Sequence, residues 1–111
     1  MKTIQTIALV SGIFSLSAGL GYAATAAENW ENSCAKCHAA DGSGSTKIGK
    51  KLKLKDYSDA KVQAALKDEE MVKAINDGVT DAGKEKMKGF KGELSDPEVK
   101  DLVAFIRKLQ K

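Results

Sequence analysis

Both cysteines and the only histidine of this 111-residue chain lie within five consecutive residues, Cys34-Ala35-Lys36-Cys37-His38. The pattern Cys-x-x-Cys-His is the signature of covalent haem attachment. Two thiols three residues apart on a helical turn can both reach the vinyl groups along one edge of a porphyrin, and the adjacent imidazole can then bind the iron. The motif therefore predicts one covalently bound haem c, attached through Cys34 and Cys37, with His38 as an axial ligand.

Three other kinds of site compete with this interpretation. A redox-active disulfide between Cys34 and Cys37 would resemble a thioredoxin-type motif, but that motif normally follows a strand in a βαβ unit, a pattern that the sequence lacks. Zinc requires about four ligands, whereas the chain contains only three Cys and His residues. A structural disulfide fits the spacing, although closing so short a loop would stabilise a helical chain little. We therefore favour haem attachment.

A shortage of large apolar side chains also favours a fold built around a cofactor. From residue 24 onward, Leu, Ile, Val and Phe account for 16 of 88 residues. This share is just under the roughly 20% below which chains tend to be disordered. A porphyrin would supply the missing apolar centre. We expect the chain to fold as the haem-bound protein and to be largely disordered without haem.

The N-terminal segment has the features of a secretory signal peptide. Lys2 is the only charged residue within residues 1–23, and an apolar stretch with small residues at its end follows it. Cleavage is predicted after Ala23 or Ala26, and the first of these leaves residues 24–111 as the mature domain. An uncleaved anchor is the alternative, but the glycines and serines of this stretch suit a cleaved segment better. We expect export to the periplasm, with no stable membrane insertion after cleavage.

Helical patterns with loops between them account for the mature domain, and no strand pattern of useful length is present. The predicted helices cover residues 26–33, Ser58 or Asp59 to Leu66, Asp68 to Gly78, and Ser95 to Leu109. The last one starts with a capping box, Ser95-Asp96-Pro97-Glu98, that has proline in its first turn. Residues 41–55 and 79–94 are predicted to be loops. The predicted fold class is all-α.

A haem iron held by one histidine has a sixth position to fill, and electron-carrying c-type sites often use methionine there. Two methionines remain after residue 23. Met71 lies beside Val72 and one helical turn before Ile75, so we predict that it belongs to the core. Met87 is a lone apolar residue among lysines in the glycine-rich loop. We therefore predict Met87 as the second axial ligand.

These features resemble the class I c-type cytochromes, small monohaem electron carriers, over about Ala26 to Leu109. Trp30 falls where that family has an aromatic residue in its first helix. Further matching segments are Ile48-Gly49-Lys50-Lys51-Leu52, Met87-Lys88-Gly89-Phe90, Leu94-Ser95-Asp96-Pro97-Glu98 and Phe105-Ile106. The resemblance implies a small cytochrome c-like fold in which the N- and C-terminal helices cross and short helices and loops wrap around one haem.

Two lysines stand where the family has proline. The carbonyl of the first proline usually accepts a hydrogen bond from the ring of the proximal histidine, and Lys50 can still supply that carbonyl to His38. The second proline stiffens the loop that holds the methionine ligand. Because Lys88 replaces it, we expect Met87 to bind the iron more loosely. In an alkaline titration, Met87 should therefore be displaced at lower pH than the ligand of relatives that have the proline.

The resemblance further implies a soluble, monomeric carrier of single electrons that cycles between Fe(III) and Fe(II) and is not an enzyme. Its partners would be acidic redox proteins of the periplasm, such as a dehydrogenase, a reductase or a terminal oxidase. Lysines in both predicted loops would form a positive rim around the haem, unless they are an ordinary solvated surface: Lys47, Lys50, Lys51, Lys53, Lys55, Lys84, Lys86, Lys88 and Lys91.

Other functions are less consistent with the sequence. Nucleic-acid binding is not expected, because the net charge of the chain is only +3 and aromatic residues do not alternate with basic ones. A haem protein whose labile sixth ligand gives way to a gas or peroxide is the first alternative. A haem-free thiol–disulfide oxidoreductase that uses Cys34 and Cys37 is the second.

Overall fold

The structure, a computed structural model, describes residues 24–111. The predicted signal peptide, residues 1–23, lies outside these residues. The elements in chain order are α1 (Ala26–Asn29), a π-helical turn (Trp30–Cys34), α2 (Ala35–His38), α3 (Lys47–Leu52), α4 (Ala60–Ala65), α5 (Asp68–Asp77), β1 (Val79–Asp81), β2 (Lys84–Met87) and α6 (Asp96–Arg107). The fold is mostly helical, as predicted. Within the described part of the chain no helix is long and apolar enough to cross a membrane.

The first helical stretch is longer than predicted. Thr25 is its N-cap, but the stretch continues past the predicted end at residue 33 and closes only at His38. A π-helical turn interrupts it, and the N–H of Ala35 donates to the carbonyl of Trp30. The motif residues therefore belong to the helix itself. Such turns are rare and are frequently found at functional sites.

The loop predicted for residues 41–55 contains a helix, so this prediction is wrong for α3. The Thr46 side chain accepts a hydrogen bond from the Gly49 N–H and caps the first turn. Lys53 ends the helix in the left-handed conformation, with φ of 55°. The sequence did not predict this cap, because the glycines and lysines around it are typical of a loop.

The other three predicted helices are confirmed. Asp59 caps α4 through its side chain, and α5 ends at Gly78, which has φ of 79°. Both halves of the capping box are formed at the start of α6, where the Ser95 side chain accepts from the Glu98 N–H and the Glu98 carboxylate accepts from the Ser95 N–H.

A short antiparallel hairpin replaces part of the loop predicted for residues 79–94. Val79 pairs with Met87, with an irregularity in register directly after Val79. Ala82 and Gly83 both have positive φ, 50° and 78°, which is the conformation of a type I′ hairpin turn. The strands lack alternating apolar residues because nearly all of their side chains are exposed. For that reason the sequence did not indicate strands.

The hydrophobic core lies between the first helical stretch, α5 and α6. Both α1 and α5 pack against α6, and the rings of Trp30 and Phe105 are 5.5 Å apart. Met71 is 7% exposed, which confirms its prediction as a core residue. The buried hydrophobic side chains are Trp30, Met71, Ile75, Val99, Leu102, Val103 and Ile106.

Candidate haem site

The two thiols and the imidazole of the motif lie on one continuous helical stretch. Cys34 is the last residue of the π-helical turn, whereas Cys37 and His38 form the end of α2. All three are half-buried, and both cysteines are free thiols. The helix thus brings together the three residues that the sequence predicted to hold the haem.

His38 lies between two aromatic side chains. Its ring centroid is 5.6 Å from that of Trp30 and 5.2 Å from that of Tyr57, and the Tyr57 ring is stacked at an interplanar angle of 23°. Aromatic pairs at such distances are worth about 0.5–1.5 kcal/mol beyond their buried area. The two neighbours therefore restrict the orientation of the imidazole plane.

Tyr57 is a site residue that sequence reasoning missed. Its N–H donates to the carbonyl of Gly42 over 2.8 Å, and its carbonyl accepts from the buried Gln63 amide over 2.7 Å. Both bonds fix the backbone from which the ring reaches His38. The contact joins residues far apart in the sequence, so no periodic pattern could have predicted it. The only signal was that Tyr57 is one of few aromatic residues.

Helix α3 packs closely against the attachment turn. The Thr46 hydroxyl donates to the carbonyl of Cys37 over 2.6 Å. A Cβ placed on Gly49 would lie 2.6 Å from the same carbonyl oxygen and would also collide with the carbonyl oxygen of Gly44. Only glycine permits this approach at position 49, and α3 thereby supports the turn that carries the second thiol and the histidine.

The chain leaves the helix abruptly after His38. Ala39 has φ of 68° and ψ of 161°, a conformation that costs a residue with a side chain about 1–3 kcal/mol. Its carbonyl accepts a hydrogen bond of 3.1 Å from the Trp30 indole N–H. This bond ties the residue after the histidine to the aromatic ring that packs beside it.

The electrostatics of the motif suit a haem site better than a thiol-exchange site. Burial, with a smaller effect from Cys37, raises the pKa of the Cys34 thiol to about 11. Cysteines that exchange disulfides have lowered pKa values instead. Burial also lowers the pKa of His38, which favours the neutral imidazole that binds metals.

One ring nitrogen of His38 is buried without a hydrogen-bond partner in the described part of the chain. Nδ1 is buried and has no hydrogen-bond partner within residues 24–111, an exception that is rare in folded proteins. The expected bond from this ring to the Lys50 carbonyl is not formed, and that carbonyl accepts the N–H of Lys53 instead. Because Nδ1 is buried, Nε2 is the ring nitrogen that could bind a metal. The two thiols and this imidazole fit covalent haem.

A bare metal ion would find no comparable site in the described chain. Over residues 24–111, no three His, Cys, Asp or Glu side chains are grouped so that they could hold one. The ligand set that zinc requires is therefore missing from this part of the protein.

Met87 approaches the core from a distant part of the chain. It ends β2, is half-buried, and packs against the same hydrophobic core as Cys34. A Cβ on Gly78 would lie 2.5 Å from the Met87 carbonyl oxygen, so the strand passes directly over the end of α5. The hairpin and this glycine position the methionine.

Comparisons with known proteins agree with this chemistry. The family model described as cytochrome c oxidase, cbb3-type, subunit III matches residues 21–106. The solved structure of the KustC0563 c-type cytochrome is 33% identical, with a TM-score of 0.70, and the match covers 79% of this chain and 100% of that one. A tyrosine-to-phenylalanine mutant of it matches at 32% identity and a TM-score of 0.68, over 78% of this chain and 100% of that one.

No curated protein matches the chain. The family model nevertheless spans most of its length, and the solved structures share its fold at more than 30% identity. The chain therefore belongs to the class I c-type cytochromes and carries covalently bound haem c.

Proposed function

We propose that this cytochrome is an exported carrier of single electrons in which His38 and Met87 are the two axial ligands of the iron. The observation that carries the proposal is the restricted orientation of the His38 imidazole. This side chain, on the attachment helix, is half-buried between the rings of Trp30 and Tyr57. Cys34 and Cys37 on the same helix are the thioether residues.

Bound haem supplies a one-electron Fe(III)/Fe(II) couple. The chain's own residues keep the ligands in place, since the two aromatic rings restrict His38 and the hairpin restricts Met87. Little rearrangement of these residues would accompany a change of one charge. Two occupied axial positions also leave none for a substrate, which is why we assign a carrier and not an enzyme.

Exposed lysines make an acidic redox protein the expected partner. All nine lysines of the two predicted rim segments are exposed, and Lys88 is the one among them that forms an ion pair within residues 24–111. The rest offer uncompensated positive charge for electrostatic steering. The matching family model is named for an oxidase subunit, so a terminal oxidase is one candidate partner. Electron-transfer rates should fall as ionic strength rises, and flat rates would contradict such steering.

Carbon monoxide binding to the reduced holoprotein tests the ligand assignment and separates the carrier from a gas-binding or peroxide-binding haem protein. We expect the wild type to bind carbon monoxide poorly and Met87→Ala to bind it rapidly at one per haem. Met71→Leu is the matched control and should behave like the wild type, because Met71 belongs to the core. Rapid stoichiometric binding by the wild type would contradict stable Met87 ligation.

A further inference from the structure

The loop after Met87 lacks the stiffness that the family's proline would supply. Proline fixes φ of its own residue and so limits the motion of the ligand before it. Lys88 has no such constraint, and its side chain is 59% exposed. The backbone after Met87 is therefore restrained by contacts with neighbouring residues and not by a fixed φ.

Backbone contacts anchor the inner side of this loop from Met87 onward, since a Cβ on Gly78 would lie 2.5 Å from the Met87 carbonyl oxygen and 3.1 Å from the Lys88 carbonyl carbon. The N–H of Phe90 donates to the carbonyl of Ile75 over 2.8 Å. A Cβ on Gly89 would lie 2.7 Å from the carbonyl oxygen of Asn76. The loop is therefore pressed onto the end of α5 at residues 89 and 90, and Lys88 lies between these anchors and Met87.

The Lys88 side chain spans the outer side of the same loop. Its Nζ lies 2.7 Å from the Glu93 carboxylate and 5.3 Å from the centroid of the Phe90 ring. Glu93 in turn belongs to a tight turn, since its N–H donates to the Phe90 carbonyl over 2.9 Å. One side chain thus connects the residue after Met87 to both ends of the turn that follows.

We propose that Lys88 is a positioning residue that holds the Met87 loop closed through Glu93 and Phe90, in place of the family's proline. The proposal rests on Met87 being the second axial ligand, as proposed above. An exposed ion pair and an exposed cation–π contact are both modest, and the ion pair is screened by salt. The strength of Met87 ligation should therefore depend on ionic strength, which a proline would not cause.

Competition by imidazole for the sixth position of the ferric holoprotein at neutral pH tests the proposal. We expect Lys88→Gln to bind imidazole about three- to tenfold more tightly than the wild type, because both contacts are lost. Glu93→Gln should bind it about two- to threefold more tightly, because only the ion pair is lost. Lys86→Gln removes the same charge two residues away and is the matched control, expected to change the affinity less than about 1.5-fold.

Ionic strength provides the second readout. The difference in imidazole affinity between the wild type and Glu93→Gln should shrink in high salt. The difference between Glu93→Gln and Lys88→Gln, which reflects the contact with Phe90, should persist. Equal imidazole affinity in the wild type, Lys88→Gln and Glu93→Gln would overturn the proposal while leaving Met87 ligation intact. Absence of a sulfur-to-iron absorption band in the untreated ferric wild type would show instead that Met87 is not a ligand, and would overturn both proposals.

Discussion

Replacing Gly49 with alanine should weaken the contact between α3 and the attachment turn. In the interior of an ordinary helix this change stabilises by about 1 kcal/mol. Here the new methyl group would lie 2.6 Å from the Cys37 carbonyl oxygen and would collide with the Gly44 carbonyl oxygen. Both obstacles are backbone atoms, so the helix must shift, and overpacking of this kind costs about 1–3 kcal/mol per site. Because two backbone atoms obstruct the methyl group, we place the cost in the upper part of this range, and after the gain of about 1 kcal/mol we expect a net loss of about 1–2 kcal/mol in the free energy of unfolding.

Guanidinium unfolding of the oxidised holoprotein measures this loss. Lys51→Ala is the matched control, because it lies in the same helix with an exposed side chain and should change the free energy of unfolding by less than about 0.5 kcal/mol. Both variants should keep the slope of the denaturant dependence, which shows that the denatured states are comparable. If Gly49→Ala were as stable as the wild type or more so, α3 could not lie this close to the attachment turn.

Three further predictions concern the cofactor, acid stability and the imidazole. Replacing both Cys34 and Cys37 with alanine should abolish most helical circular dichroism, because the chain then loses its apolar centre, and a well-folded haem-free variant would contradict this. A hydrogen bond from Asn29, followed by those from the capping box, lowers the pKa of Glu98 below its ordinary 4.5. The free energy of unfolding of the wild type should thus exceed that of Glu98→Gln above pH 4.5, and the difference should shrink as pH falls below this value. A difference that grew in acid would contradict this prediction. Tyr57→Leu removes the stacked ring and should lower the free energy of unfolding by about 1–3 kcal/mol and shift the reduction potential, whereas Tyr57→Phe should resemble the wild type in both.

Local sequence signals predicted the parts of the fold that are decided locally. The capping box at Ser95 and the end of α5 at Gly78 each depend on a few adjacent residues, and both are formed. The attachment motif likewise spans only five consecutive residues of one helical stretch. The spacing of residues 34, 37 and 38 therefore carried over directly into the structure.

The parts that the sequence did not predict depend on contacts between distant residues. Helix α3 has a local cap at Thr46, but its position depends on how Gly49 fits against the attachment turn, which local composition does not reveal. The hairpin depends on a turn at Ala82 and Gly83, without any apolar alternation in its strands. The stacking of Tyr57 on His38 likewise joins segments that only the tertiary fold brings together.

The proton NMR spectrum of the reduced holoprotein tests the central claim, that Met87 is the second axial ligand, most directly. A methionine side chain bound at the iron lies over the porphyrin ring, whose ring current shifts its protons far outside the usual protein range. We predict one set of strongly shifted methionine signals in the wild type and in Met71→Leu, and their loss in Met87→Ala. Shifted methionine signals that persist in Met87→Ala, or that are missing from the wild type, would contradict the account.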